Sequence, residues 1–145
     1  MSSFFDYPTE ARPPSQLTFL PGRPVEDFRR IGRHADRIRF AAGETVLRLG
    51  DRDRALYIVL SGELEALVDP PSPIEAGTVF GEVAFLDGSP RSASVRAVTD
   101  GEALRLSFEE FEMLAARHSE LGRAILLDLG RIVAARLRRA TEVAR

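Results

Sequence analysis

The apolar positions of this chain follow two rhythms. From Arg39 to Leu106 they come in short pieces rich in Val, Leu, Ile, Phe and Tyr, broken at Ala42-Gly43, Gly50-Asp51, Ser61-Gly62, Asp69-Pro70-Pro71, Gly77, Gly88-Ser89-Pro90 and Asp100-Gly101. This spacing predicts strands at about 38–41, 45–49, 56–60, 63–68, 78–80, 92–98 and 102–106, hence a sandwich, jelly roll or small barrel. Leu56-Tyr57-Ile58-Val59-Leu60 is apolar throughout and reads as buried on both faces, whereas 63–68 alternates with one face wet. Ser61-Gly62 between them is a tight hairpin turn.

Helical spacing brackets that region. Val25, Phe28, Ile31 and Ala35 predict a helix from Pro24 or Val25 to about Arg37, with Pro24 suited to its first turn. Ser107 and Glu110 form a capping box opening a short helix at about 107–117. His118-Ser119 marks a bend, and a longer helix at about 120–142 carries Leu121, Ile125, Leu126, Leu129, Ile132, Val133, Leu137 and Ala140. That stripe is wide enough to cover a β core on one side and meet a second copy of the chain on the other. Residues 1–24, with five prolines, read as an N-terminal arm and not a core element; Phe4, Phe5 and Tyr7 are its aromatic groups. Residues 25–145 form the folded domain, with the β region at about 38–106.

Composition narrows the chemistry. With 145 residues the chain has room for one ordinary domain. It has no cysteine, which excludes disulfides, thiol catalysis and cysteine-held metal. All 20 basic residues are arginine and the net charge is -2, so a general nucleic-acid coat is not expected. The Arg29, Arg30, Arg33 and Arg37 group reads as a solvated helix face. No apolar run reaches the roughly 18 residues of a membrane span, and the acidic N-terminus is unlike a secretory signal; a cytoplasmic location is expected.

One segment carries candidate chemistry: Phe80-Gly81-Glu82-Val83-Ala84-Phe85-Leu86-Asp87-Gly88-Ser89-Pro90-Arg91-Ser92-Ala93-Ser94-Val95. Gly81 permits close backbone approach, and residues 82–86 suit one helical turn. Arg91 offers a planar pair of donors to phosphate, and Glu82 accepts from sugar hydroxyls. These residues read either as a pocket for a phosphorylated sugar or as a Glu82–Arg91 ion pair closing a surface loop.

The same segment resembles the phosphate-binding cassette of cyclic nucleotide-binding domains, which reads Phe-Gly-Glu, a small or aliphatic pair, a loop, then Arg-Ser/Thr-Ala-Ser/Thr-Val. Ala42-Gly43-Glu44-Thr45-Val46, Leu49-Gly50-Asp51 and Leu56 to Leu64 resemble the family's opening hairpin and central strand pair, so the likeness covers about residues 25–142. It implies a mostly β fold: a small double-stranded jelly-roll β-barrel with an N-terminal helix and two C-terminal helices. It also implies cyclic AMP or cyclic GMP as ligand and no other cofactor. Arg91, helped by Ser92 and followed by Ala93, would hold the cyclic phosphate; Glu82 would take the ribose 2′-hydroxyl beside the Gly81 amide; Val83 and Ala84 would line the sugar-phosphate. Val68 and Val79 would touch the purine, and Thr141 or Arg138 on the last helix would reach the base. Cyclic AMP is expected over cyclic GMP, although a serine at position 92 reaches the guanine amino group in some relatives.

The expected function is therefore a non-catalytic sensor that relays occupancy through its C-terminal helix to an effector not identifiable from sequence, with a homodimer through the same helix. The chain stops at Arg145, so no nucleic-acid-binding module is expected after that helix. Two rivals follow from the same fold: a ligand-silent interaction domain and a cupin-type enzyme. The enzyme needs several converging metal ligands, yet the chain has only His34 and His118, both outside the predicted barrel.

Overall fold

The computed structural model describes residues 16–143. Helix α1 (Val25–His34) leads into β1 (Asp36–Phe40), β2 (Thr45–Leu47), β3 (Ala55–Ser61), β4 (Glu63–Ala66), β5 (Ser72–Glu75) and β6 (Val79–Phe80). The one-turn-and-a-half helix α2 (Glu82–Asp87) follows, then β7 (Val95–Ala97), β8 (Gly101–Ser107), α3 (Phe108–Arg117) and α4 (Ser119–Val143). The eight strands are antiparallel and form two four-stranded sheets, in the orders β1-β8-β3-β6 and β2-β7-β4-β5. The jelly-roll expectation is met by this pair of sheets without full closure into a barrel.

The continuous apolar run of β3 is explained by burial on both faces. Leu56, Ile58 and Leu60 turn toward the helices, where they meet Phe28, Phe111, Leu121, Ile125 and Leu129. Ala55, Tyr57 and Val59 turn toward the second sheet and pack with Leu64, Phe80 and Val95. At about 1.5–3 kcal/mol for each large side chain removed from water, these two layers form the main apolar contribution to stability. The capping box is formed as expected: Ser107 Oγ accepts from the Glu110 amide at 3.0 Å and Glu110 Oε1 from the Ser107 amide at 2.8 Å.

Several boundaries differ from expectation. Helix α1 ends at His34, because Asp36 and Arg37 pair with Arg105 and Leu104 at the sheet edge. Ser72–Glu75, expected as loop, pairs with β4; Pro73 is tolerated because β5 is an edge strand. The strand expected at 92–98 shrinks to Val95–Ala97, since residues 91–94 bend away. Phe19 and Leu20, assigned to the arm, are core residues. The Leu20 amide donates to Asp128 Oδ2 at 2.6 Å, and Arg131 donates to the Gln16 and Thr18 carbonyls, both at 2.6 Å. Phe4, Phe5 and Tyr7 lie outside the described residues. Among the described residues no helix is long and apolar enough to cross a membrane.

Two tertiary contacts support tests of the fold. Gly122 lowers the helix propensity of α4, yet a Cβ there would stand 2.6 Å from the Ala115 Cβ and 3.0 Å from the Ala115 Cα on α3. Overpacking costs about 1–3 kcal/mol and outweighs a propensity gain of about 1 kcal/mol. Gly122→Ala is therefore expected to lower the midpoint of urea unfolding.

The second contact is a polar cluster on β3 and β8. Tyr57 and Arg105 are directly paired across the strands. The Tyr57 hydroxyl donates to Asp53 Oδ2 at 2.9 Å and Arg105 Nη2 to Asp53 Oδ1 at 2.5 Å. Burial pushes the Asp53 carboxyl up, but the bonds from Tyr57 and Arg105 and the Arg105 and Arg91 charges outweigh it and hold the group below its ordinary 3.8. A folded value below the unfolded one contributes stability that is complete above the unfolded pKa and is lost as pH falls through the folded one. The stability advantage of the native protein over Asp53→Asn, read by urea unfolding, should therefore shrink progressively below about pH 4.

Candidate functional site

The cassette segment folds as a turn, a short helix and a latched loop. Beyond β6 the chain passes through Gly81 in the left-handed region at φ 79°, where a Cβ would stand 2.7 Å from Arg91 Nη1. Only glycine admits that approach without displacing the guanidinium. After α2 the chain turns back through Gly88 and reaches Arg91. The returning loop is latched to the turn after β2: the Arg91 amide donates to the Asp51 carbonyl at 2.7 Å, the Gly50 amide to the Arg91 carbonyl at 2.9 Å, and the Leu49 amide to Ser94 Oγ at 2.9 Å.

These latches send the Arg91 side chain inward, where it is 3% exposed. Nη1 donates to the Gly81 carbonyl at 2.8 Å, and Nη2 to the Ala55 carbonyl at 2.7 Å and to Asp53 Oδ2 at 3.3 Å. The Arg91 Nε is buried and has no hydrogen-bond partner. Leaving such a donor unmet costs about 1–3 kcal/mol, more for a charged group.

Glu82 is also buried, at 7% exposure. Its partner is not Arg91, so the loop-closing Glu82–Arg91 pair is not the arrangement found. Glu82 Oε1 lies 2.7 Å from Arg136 Nη1 on α4, and Arg136 Nη2 donates to the Val79 carbonyl at 2.7 Å. The final helix thus reaches into the cassette through one side chain. Arg136 was missed by the sequence reading, although it lies four residues after Ile132 on the buried stripe of Ile125, Leu129 and Ile132. An arginine continuing an apolar face was the available signal.

Glu82, Arg91 and Arg136 meet at a cleft of about 200 Å³. Of the residues expected at the site, Val68, Gly81, Glu82, Val83, Ala84, Arg91, Ser92 and Ala93 all border it. Two do not. Val79 is fully buried in the core layer between sheet and helices, so its side chain is packing and only its carbonyl faces Arg136. Thr141 is exposed and its hydroxyl donates to the Leu137 carbonyl at 3.0 Å, one turn back along α4. Arg138 is exposed as well. Leu47, Ile74, Phe80 and Val95 add an apolar wall that the sequence reading did not assign.

The cleft is thus bordered by a fixed cation with an unmet buried N–H, a carboxylate paired with Arg136, and an apolar wall. This set suits a ligand with an anionic group, hydroxyls and a flat apolar part. Neither His34 nor His118 borders the cleft. Among the described residues no group of three or more His, Asp or Glu is placed to hold a metal ion.

The profile of the cyclic nucleotide-binding domain family matches residues 37–118. The cAMP-dependent protein kinase regulatory subunit of Emericella nidulans is 39% identical over 89 residues, covering 59% of this chain and 22% of that subunit. The cAMP-activated global transcriptional regulator Vfr of Pseudomonas aeruginosa is 33% identical over 119 residues, 74% of this chain and 54% of the regulator. The chain therefore spans about a fifth of the kinase subunit and about half of the regulator. A cyclic nucleotide-binding domain from Methylobacillus flagellatus superposes with a TM-score of 0.77 at 25% identity, covering 88% of this chain and 75% of that one. With the family profile spanning more than half of its length and the cassette folded around Arg91 and Glu82, this chain belongs to the cyclic nucleotide-binding domain family.

Proposed function

We propose that the cleft binds a cyclic nucleotide monophosphate, cyclic AMP in preference to cyclic GMP, and that the chain acts as a non-catalytic sensor. The observation that carries this reading is the buried, unpartnered Nε of Arg91. Nη1 donates to the Gly81 carbonyl and Nη2 to the Ala55 carbonyl and Asp53, so the guanidinium is held in place with its Nε–H left for an anion. A cyclic phosphate oxygen supplies the missing acceptor as a charge-assisted bond. Glu82 accepts the ribose hydroxyl, Gly81 and Ala84 lie along the sugar-phosphate, and Ser92 and Ala93 follow Arg91 at the rim. Val68 belongs to the apolar wall on which the base rests. The preference for cyclic AMP is supported by the two curated relatives named for it.

Relay follows from Arg136. A ribose hydroxyl that takes up Glu82 competes with the Arg136 bond and so changes how the distal part of α4 is anchored. Occupancy shifts the helix only by the difference in affinity between its two positions. Exposed Leu126, Leu127 and Leu137 on α4 support a homodimer through that helix. The effector is a further protein whose chemistry the cleft does not specify.

Calorimetric titration with both cyclic nucleotides tests the binding. Native protein is expected to bind cyclic AMP more tightly than cyclic GMP. Arg91→Ala is expected to weaken cyclic AMP binding by about 30-fold or more, equivalent to about 2 kcal/mol. Unchanged affinity in that variant defeats the assigned role. Hydrogen exchange tests the relay: cyclic AMP should alter protection of amides around Arg136, and identical protection with and without ligand would rule the relay out.

A further inference from the structure

A third arginine, outside the cleft, is tied to the cassette from behind. Arg54 precedes β3 and does not border the cleft. Its Nε donates to the Phe85 carbonyl at 2.9 Å and its Nη2 to the Leu86 carbonyl at 3.1 Å. Its Cζ lies 3.6 Å from the centroid of the Phe108 ring, the first residue of α3. The backbone repeats the connection: the Phe108 amide donates to the Arg54 carbonyl at 3.0 Å. The Phe85 ring in turn packs edge-on against Phe108 and Phe111, each at 5.5 Å between centroids.

The arrangement answers a local need. A six-residue helix is too short to hold its shape alone, and its last carbonyls lack intrahelical partners. The Gly88 amide takes one, the Ala84 carbonyl, at 2.8 Å. Arg54 takes the next two and places a positive charge at the negative end of the helix. The planar guanidinium spans two carbonyls while its face lies on an aromatic ring, a combination an ammonium cannot reproduce.

We propose that Arg54 is a positioning residue for nucleotide binding: it locks the carbonyl end of α2 to α3 and thereby holds Gly81, Glu82 and Ala84 in place without touching ligand. The inference deepens the cyclic nucleotide reading and rests on it for its effect on affinity. It also makes the cassette helix and α3 move as one body, because the same side chain grips both.

The full chain, Arg54→Lys and Arg54→Ala are compared by calorimetric titration with cyclic AMP and by hydrogen exchange without ligand. Arg54→Ala is expected to raise the Kd about tenfold and to speed exchange selectively at amides 82–88, while β3 and β8 keep native protection. Arg54→Lys is expected to resemble Arg54→Ala more than the native protein in both readouts. Native affinity together with native exchange at 82–88 in Arg54→Ala overturns the proposal. So does a uniform loss of protection across β3 and β8, which would make Arg54 a residue of general stability. If the native chain binds neither cyclic nucleotide, the binding reading fails separately, and exchange at 82–88 still decides whether Arg54 locks α2.

Discussion

The architecture of the cassette depends on keeping one guanidinium buried. A charge removed from water is tolerated only when its surroundings replace the lost hydration. Arg91 obtains that replacement from three groups in two parts of the chain: the Gly81 carbonyl before α2, and the Ala55 carbonyl at the start of β3 with the Asp53 carboxylate just before it. Each of these is then confined by Arg91 in return. Gly81 is confined to a residue without Cβ, and Asp53 is oriented by Arg105 on Oδ1 and by Tyr57 on Oδ2, the oxygen that also accepts from Arg91. The Tyr57 ring, stacked on Phe80 at 4.8 Å, carries that orientation into the apolar layer between the sheets.

This network fixes the shape of one end of the cleft. Its cation cannot swing to solvent without abandoning two carbonyls and a carboxylate. The carboxylate side is built differently. Glu82 is held by Arg136, whose own long stem rises from another element. The cleft therefore combines an arginine fixed by the groups around it with a carboxylate tied to α4 through Arg136.

Helix α4 is itself divided by its environment. Leu121, Ile125, Leu129 and Ile132 are fully buried in the core shared with the first sheet, α1 and α3, while Asp128 and Arg131 beside that stripe grip the backbone of residues 16–20. From Leu137 to Glu142 every residue is exposed. Arg136 stands at the boundary as the last anchor.

Much of this was legible in the residues themselves. The two-faced burial of β3 followed from five consecutive apolar residues and the start of α3 from Ser107 and Glu110, while the cassette was legible through the resemblance of residues 80–95 to a known family, the residues alone leaving a Glu82–Arg91 ion pair open. These are local features, set by period, by a cap three residues away, or by a backbone conformation that needs glycine. The partners of the charged groups were not legible. Twenty arginines look alike along the chain, and whether Glu82 meets Arg91 or Arg136, or Arg91 meets Asp53, depends on which ends the folded sheets and helices bring within a few ångströms. Val79, Thr141, Phe19 and Leu20 were misplaced for the same reason: a residue's face is written in its neighbours, but what that face meets is decided only when distant elements pack.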